Sequence, residues 1–168
     1  ASSWNQQIAL AMGDNPVSQM VPVTVDPVVV DGIVYVATYQ GYIAALNLDN
    51  GQMIWHHKIS SYAGIAADSQ QVYVSDANSN VWAFDEESGA VNWRQKQLVG
   101  RDITGPVLVG NNVIVASRLG SLQVLSKSDG HFVSRLSLGS GALAKPVVSG
   151  RTLYIYTSKG SLQAIRVH

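Results

Sequence analysis

The chain of 168 residues contains no cysteine, which excludes disulfide bonds, thiolate metal ligands and cysteine nucleophiles. Charged residues are scarce at 13 %, and eleven Lys and Arg balance eleven Asp and Glu. A formal net charge of zero gives no electrostatic basis for binding nucleic acid or an anionic membrane surface. No apolar run approaches the ~20 residues of a membrane-spanning helix. The first residues lack the basic region and apolar stretch of a signal peptide, so we expect any such segment to have been removed or to lie upstream.

Helical periodicity and catalytic motifs are missing as well. No window repeats apolar residues at i, i+3, i+4 and i+7 over the ~10 residues that a helix needs. Nucleophile-elbow, phosphate-loop and dinucleotide motifs are absent from the sequence. His56 and His57 are adjacent on a predicted strand, so they point to opposite faces and cannot share a metal. Asp85 to Glu87 lie in a predicted turn, whereas Ca²⁺ needs six or more converging oxygens. We therefore expect no catalytic residue, no metal and no cofactor.

What the sequence does contain is an internal repeat. A turn glycine recurs about every 40 residues, at Gly51, Gly89 and Gly130. Each repeat has four short runs rich in Val, Ile, Tyr, Thr and Leu, separated by Gly, Asn, Asp and Ser; in the first they are "PVVV", "IVYVAT", "YIAALN" and "MIWHHKI". Such runs are typical of strands joined by turns. Four short antiparallel strands every ~40 residues predict an all-β propeller, each repeat forming one blade.

The repeats also predict how the chain is divided within a single partial propeller domain over residues 1–168. The expected parts are the outer strand of a preceding blade at 1–11, full blades at 26–60, 62–98 and 103–139, and a last blade lacking its outer strand at 143–168. About four blades are therefore present. They can form a self-closing ring, an open arc of a larger ring, or half of a dimer. An open arc would expose blade faces, which favours self-association.

A tryptophan follows the turn glycine by four residues in the first two repeats. It is predicted to lie on the outer strand, flat against the next blade, with its indole N–H reaching a backbone carbonyl. A ligand-stacking platform is the alternative, but a fixed place within the repeat favours packing. The third repeat has Ser134 at this position, which predicts a looser junction. The predicted blade-docking residues are Trp4, Trp55, Trp93, Gly51, Gly89 and Gly130.

Irregular loops are the expected location of function, because recognition concentrates in loops held by a rigid scaffold. In a propeller, the connections from second to third strand and from fourth strand to the next blade share one face. These are Met12 to Asp26, Ser75 to Asn80 and Leu98 to Gly105. The first is long and apolar, with Met20 and Val21, and suits an adaptable protein contact. Alternatively, residues 21–25 simply extend the inner strand.

The turn pattern A-L-x-x-x-x-G-x-x-x-W resembles the repeat of the quinoprotein-like propellers, which include dehydrogenases that carry pyrroloquinoline quinone. The order of segments is similar to that of the BamB family, the propeller lipoproteins of the outer-membrane β-barrel assembly machinery. It runs from "WNQQIALAMG" through "DPVVVDGIVYVAT" and "VYVSDANSNVWAFDEESGAVNW" to "KPVVSGRTLYIYTSKGSLQAI", over essentially all 168 residues. The resemblance implies quinoprotein-like four-stranded blades forming the second half of an eight-bladed ring. The family's lipidated N-terminal Cys and first four blades would be missing from this chain.

The resemblance further implies a non-catalytic scaffold on the periplasmic side of the outer membrane, with a lipid anchor in the full-length protein. Its partners would be the periplasmic (POTRA) domains of BamA and, as a further class, nascent outer-membrane proteins. The family's acidic loop in the BamA-binding surface corresponds to "SDANSN", which makes Asp76 a candidate surface contact, although Ser79 or Asn80 stands where a second acid is expected. The candidate partner-binding residues are Met20, Val21, Asp76, Asn78, Ser79, Asn80, Arg101 and Asp102.

A second interpretation is a quinone-dependent or lectin-like propeller that binds a small molecule in its central channel. Such a site would need polar or charged side chains converging on the channel. The predicted inner strands, "PVVV", "GIAA", "PVLV" and "PVVS", offer almost none. The sequence therefore favours the scaffold over the small-molecule site.

Overall fold

The structure is a computed structural model that describes residues 4–6, 25–38, 41–61 and 63–167. These residues form fifteen strands, with no helix among them and hence none long and apolar enough to cross a membrane. The strands are β1 (Val28–Val30), β2 (Ile33–Ala37), β3 (Gly41–Asn47), β4 (Met53–Ile59), β5 (Ile65–Ala67), β6 (Gln71–Ser75), β7 (Val81–Asp85), β8 (Val91–Gln95), β9 (Val107–Val109), β10 (Asn112–Ala116), β11 (Ser121–Ser126), β12 (Phe132–Ser137), β13 (Val147–Ser149), β14 (Thr152–Tyr156) and β15 (Leu162–Arg166).

The strands form four antiparallel sheets in which each strand pairs with its neighbours in the chain. We call these sheets blade 1 (β1–β4), blade 2 (β5–β8), blade 3 (β9–β12) and blade 4 (β13–β15). The sequence predicted an all-β propeller of about four blades without helices, and the structure confirms it. Strand-rich repeats give this result because β-branched and aromatic residues fit a pleated surface that is covered by the next sheet.

The turns between third and fourth strands are built alike. Gly51, Gly89 and Gly130 have φ of 71°, 69° and 71°, a left-handed conformation that glycine adopts without steric cost. A side chain at the start of the turn caps it: Asn47 Oδ1 accepts hydrogen bonds from the N–H groups of Asp49 (2.9 Å) and Asn50 (3.1 Å). A register shift of the β-bulge type follows in blades 1, 2 and 3.

The hydrophobic core lies between the blades. Tyr35 and Ile43 of blade 1 pack with Ile65 and Phe84 of blade 2. Equivalent clusters join blade 2 to blade 3 and blade 3 to blade 4. Since a single sheet of this size cannot bury both of its faces, stacking supplies most of the apolar burial that stabilises the fold.

Strand β12 differs from the other outer strands because each of its six residues is exposed. It contains Ser134, which pairs with Val124 just as Trp93 pairs with Ala83 in blade 2. The inner strands of blade 3 nevertheless share a buried cluster with blade 4. The looser junction at Ser134 stays a prediction.

Because the strands alternate in direction, their connections divide between two faces. The turn face consists of the connections from first to second and from third to fourth strand, including residues 48–51, 86–89 and 127–130. The loop face consists of the other connections. Its described parts are residues 25–27, 38, 60–61, 63–64, 76–80, 96–106, 117–120, 138–146 and 157–161.

Candidate functional site

The loops of the loop face are held together by backbone hydrogen bonds between neighbouring connections. Ala77 N donates to the carbonyl of Ser60 at 2.8 Å, and Arg118 N donates to the carbonyl of Asp102 at 3.0 Å. Ser158 N makes the same kind of contact with Gly141, at 2.8 Å. In blades 2, 3 and 4, the loop between second and third strands is thus attached to the connection that enters the blade, so side chains on these loops project from a hydrogen-bonded backbone.

In the described part of the loop face, three large apolar side chains are exposed. Leu119 is 68 % exposed, Val99 is 61 % exposed and Leu143 is 49 % exposed. They lie on three different connections, in residues 96–106, 117–120 and 138–146. Exposed apolar residues on the hydrogen-bonded loops of one face are typical of a protein-binding surface. None of the three is among the residues predicted from the sequence to bind a partner, although the apolar Leu119 inside the polar turn "SRLGS" was a usable signal.

Asp76 is buried, so the expectation that it is a surface residue is wrong. Only 6 % of it is exposed. Its Oδ1 accepts hydrogen bonds from the N–H groups of Asn78 and Asn80, each at 2.9 Å. Its Oδ2 accepts from Asn80 Nδ2 at 2.7 Å and from Trp82 Nε1 at 2.8 Å. A carboxylate with four protein donors determines the shape of its loop, and a substitution by Arg would disrupt that loop in addition to any contact.

The other candidates in this loop are presented to different extents. Asn78 is exposed, whereas Ser79 and Asn80 are only 3 % and 2 % exposed. Ser79 has a φ of 65°, and its Oγ accepts a hydrogen bond from Ile103 N at 3.4 Å. Of these three residues, only Asn78 offers its side chain to a partner.

Arg101 and Asp102 lie in the neighbouring connection and are partly buried. Asp102 forms an ion pair with Arg118, Nε to Oδ2, at 3.4 Å. The carbonyl of Arg101 accepts a hydrogen bond from Ser117 Oγ at 2.6 Å. Asp102, Asn78, Ser79 and Val99 line one shallow cleft of about 340 Å³. The structure therefore brings together predicted residues of two loops, while Met20 and Val21 lie outside the described residues.

On the turn face, three indoles make the same contact. Trp4, Trp55 and Trp93 donate from Nε1 to the carbonyls of Leu48 (2.8 Å), Glu86 (2.8 Å) and Lys127 (2.7 Å). Each ring also covers the turn glycine of the blade that it contacts. A Cβ at Gly89 would lie 2.5 Å from Trp55 Cδ2, and a Cβ at Gly51 or Gly130 would collide with Trp4 or Trp93 in the same way. Trp55 and Trp93 are buried by these contacts, which leaves little of either ring for a ligand to stack on, whereas Trp4 is 38 % exposed.

A second repeated contact on the turn face was not predicted. The residue two positions after the tryptophan reaches the carbonyl of the same turn glycine. Gln95 Nε2 donates to Gly130 at 2.9 Å, and His57 Nε2 contacts the carbonyl of Gly89. Gly89 and Gly130 are therefore each covered by an indole ring and also bound through their carbonyl oxygens.

The central channel is lined mainly by apolar side chains. A space of about 510 Å³ is bounded by inner-strand residues of all four blades, among them Val28, Ile65, Val107 and Val148. The charged residue in its lining is Lys145, whose Nζ donates to the carbonyl of Ile65 at 2.9 Å. Burial lowers the pKa of Lys145, and the carboxylate of Asp26 opposes that effect. Among the described residues, no three His, Asp or Glu side chains are grouped so that they could hold a metal ion.

Comparison with known proteins gave matches over nearly the whole chain. The family model described as "Outer membrane protein assembly factor BamB" matches residues 1–95 and 96–168. The curated protein of that name from Legionella pneumophila (strain Paris) is 37 % identical over 164 residues, which are 98 % of this chain and 43 % of that protein. The protein of the same name from Escherichia coli (strain K12) is 32 % identical over 163 residues, 96 % of this chain and 42 % of its own length. The chain thus spans less than half the length of these curated relatives.

Solved structures gave a consistent result. The crystal structure of BamB from Moraxella catarrhalis matches with a TM-score of 0.90 at 27 % identity, covering 98 % of this chain and 49 % of that one. The computationally designed Ika4 protein matches with a TM-score of 0.74 at 13 % identity, over 98 % of this chain and 100 % of its own. Quinohemoprotein alcohol dehydrogenase from Comamonas testosteroni matches with a TM-score of 0.67 at 18 % identity, over 82 % and 29 %. The last two likenesses show a common fold alone.

Proposed function

Because the chain belongs to the family of outer membrane protein assembly factor BamB, we propose that it is a non-catalytic scaffold that binds a protein partner through its loop face. The observation that carries this proposal is the exposure of Val99, Leu119 and Leu143 on connections whose backbones are already hydrogen-bonded. Binding there orders little additional backbone, so the apolar contacts contribute to affinity with a small entropic cost. The polar residues beside them, Asn78 and Asp102, supply a rim.

The partner that we propose is the periplasmic (POTRA) region of BamA, as the family resemblance suggests. The chain would then act on the periplasmic side of the outer membrane, held there by a lipid anchor on the full-length protein. Nascent outer-membrane proteins are a further proposed partner class. Since the chain spans about 43 % of the first relative, it would supply only part of the binding surface.

A calorimetric titration of the chain with the purified BamA periplasmic region tests this proposal. Leu119→Arg is expected to weaken binding by about tenfold or more, because it places a charge in an apolar contact. Val91→Arg is the matched control, since Val91 is 47 % exposed on β8, beside the turn face. Equal affinity of the Leu119→Arg variant and the parent chain would contradict the proposed surface, and absence of binding by the parent chain would contradict the partner.

The alternative function, a small molecule in the central channel, has less support. Among the described residues that bound this space, Lys145 is the charged one, and its ammonium group already donates to a backbone carbonyl. A cofactor such as pyrroloquinoline quinone carries several carboxylates that would need charged or hydrogen-bonding partners. Incubation with pyrroloquinoline quinone is expected to give no shift of its absorption spectrum and no dye reduction, and a positive result in both would favour this alternative over the scaffold.

A further inference from the structure

Blades 2 and 3 contain four equivalent positions, of which three carry different residues and one carries an arginine in both blades. The backbone N–H of Asp76 donates to the carbonyl of Asn80 at 2.9 Å, and that of Ser117 donates to Ser121 at 2.7 Å. Two residues beyond Asn80 and Ser121, cross-strand pairs follow: Trp82 with Arg94 in blade 2, and Gln123 with Arg135 in blade 3. The set Asp76, Asn80, Trp82 and Arg94 therefore corresponds to Ser117, Ser121, Gln123 and Arg135.

In blade 2 the arginine has partners within the protein. The guanidinium carbon of Arg94 lies 4.1 Å from the centroid of the Trp82 ring. Its Nη2 lies 4.0 Å from Asp76 Oδ2, the oxygen that also accepts the Trp82 indole hydrogen bond. The carboxylate thus binds the aromatic ring and balances the charge of the arginine that covers it.

In blade 3 the arginine is kept and both of its partners are replaced. Ser117 provides no charge where Asp76 provides a carboxylate, and Gln123 is smaller than Trp82. Gln123 Nε2 donates to Ser121 Oγ at 2.9 Å, within its own blade. Within the described part of the chain, no carboxylate lies within 4.0 Å of a nitrogen of Arg135.

A cleft of about 410 Å³ lies beside this arginine. Its most buried lining residues are Leu98 and Gln123, each 2 % exposed. Arg135 and Val133 contribute from β12, and Gln97 and Arg101 from the connection between blades 2 and 3. Arg101 likewise has no carboxylate within 4.0 Å among the described residues, and none of the described residues that line the cleft is acidic. Two arginines therefore border an apolar and amide-lined space to which the described residues contribute no negative charge.

We propose that this cleft binds a carboxylate carried on an apolar peptide segment, which supplies Arg135 with the negative charge that Asp76 supplies to Arg94 in blade 2. Guanidinium groups match carboxylates in planar, bidentate geometry, and Leu98 and Val133 provide apolar contact for the segment that carries the carboxylate. The cleft volume suits one or two side chains. The proposal does not depend on which protein binds the loop face, because it rests on the comparison of blades 2 and 3.

The test is an NMR titration of the isotope-labelled chain with three probes: the peptide acetyl-Leu-Glu-Leu-amide, its Gln counterpart, and acetate. The Glu peptide is expected to shift the Leu98 methyl and Arg135 Nε–H signals, and the Gln peptide to bind about tenfold more weakly. Acetate is expected to shift the same signals at higher concentration. Acetate binding as tight as that of the Glu peptide would overturn the peptide ligand in favour of a free small carboxylate. No shift by the Glu peptide up to about 10 mM would overturn the site itself.

Variants separate a built site from general charge attraction. Arg135→Gln is expected to weaken binding of the Glu peptide about tenfold. Gln123→Glu places an internal carboxylate beside Arg135 and should abolish binding while the remaining methyl spectrum stays unchanged. Arg151→Gln, at an exposed position on the turn face, is the control that should bind as the parent chain does. The site is refuted if Arg151→Gln loses as much affinity as Arg135→Gln, or if Gln123→Glu binds the Glu peptide normally.

Discussion

The two faces of the molecule are built in opposite ways. On the turn face, one contact is made three times, with an indole over a turn glycine and its N–H on a carbonyl three residues before that glycine. On the loop face, the connections differ in length, charge and apolar content, although their backbones are linked by similar hydrogen bonds. The repeated contact on the turn face holds neighbouring blades together. The side chains of the loop face do not repeat, so they can differ from blade to blade without changing that contact.

Asp76, on the loop face, is an exception to this contrast between the faces. Asp76 is as much a structural residue as the turn-face tryptophans, since its carboxylate has four donors in its own blade. The loop face therefore consists of a buried polar layer, with Asp76 and Asn80, beneath an exposed layer, with Asn78, Val99 and Leu119. In the loop of residues 76–80, only the exposed Asn78 presents its side chain for recognition.

The largest difference between the faces should appear when apolar side chains are truncated. Trp93→Ala is expected to lower the free energy of unfolding by about 3–5 kcal/mol, because it removes a buried ring and opens a cavity beside Gly130. Val99→Ala, at a position 61 % exposed on the loop face, should change it by under about 0.5 kcal/mol. Urea unfolding measures both values. A loss below about 1 kcal/mol for Trp93→Ala would show that the indole does not hold the blades together.

The exception on the loop face can be tested in the same way. Asp76→Ala is expected to cost about 3 kcal/mol, because it leaves the buried Asn80 and Trp82 donors without an acceptor. Asn78→Ala is the control, since the side chain of Asn78 is exposed in the same loop, and it should cost under about 0.5 kcal/mol. Similar costs for the two variants in urea unfolding would mean that Asp76 does not organise the loop.

The repeated features of the fold could be predicted from the sequence, whereas the burial of Asp76 could not. The all-β propeller could be predicted because the strand and turn pattern is local and is copied in every repeat. The docking of the indoles could be inferred for the same reason, since Gly and Trp keep a constant spacing. The burial of Asp76 could not, because it depends on Asn80 and Trp82 turning back to the same carboxylate across a loop and a strand. An acid in a short polar loop looks exposed until those donors are placed around it.

Identifying the cleft at Arg135 required both the repeat pattern of the sequence and the three-dimensional contacts. The sequence aligns the repeats and so equates Arg135 with Arg94, but the significance of Arg94 lies in its three-dimensional partners. Asp76 and Trp82 contact Arg94 in the structure. Their replacement by Ser117 and Gln123 in blade 3 therefore leaves Arg135 without a carboxylate partner and beside a cleft.

A pair of glycine substitutions would sharpen the comparison of the faces. Gly89→Ala places a Cβ 2.5 Å from Trp55 Cδ2, at a φ of 69°. Gly100→Ala, on the loop face, has a similar φ of 78° and no heavy atom within 4 Å of its Cβ. In both variants, the left-handed conformation of the alanine should lower the free energy of unfolding by about 1 kcal/mol. The collision with the indole should lower it by a further ~1–2 kcal/mol at Gly89 alone. The unfolding free energies of the two variants give this difference directly, and equal values would remove the indole contact from the explanation.

The smallest expected effect concerns an ion pair between blades 2 and 3 near the turn face. Lys127 Nζ lies 2.7 Å from Asp68 Oδ2. Burial alone would raise the pKa of Asp68, but the hydrogen bonds from Lys127 and from the N–H groups of Gln71 and Gln70 together hold it below its usual value. A carboxyl group with a lowered pKa in the folded state adds stability above its unfolded pKa, and that stability is lost as the pH falls through the folded pKa.

Stability should therefore decline below about pH 4, where an unfolded Asp begins to be protonated, and Asp68 should contribute about 0.5 kcal/mol to that decline given its partial exposure. Lys127→Met removes the ion pair and keeps the Lys127 carbonyl that receives the Trp93 indole. Between pH 3 and 7, the unfolding free energy of Lys127→Met should depend on pH less strongly than that of the parent chain. Its pH dependence should be closer to that of Asp68→Asn. If Lys127→Met keeps the full acid sensitivity of the parent chain, the backbone donors of Gln70 and Gln71 set the pKa of Asp68, and the ion pair adds nothing to the junction that the turn-face indoles already hold.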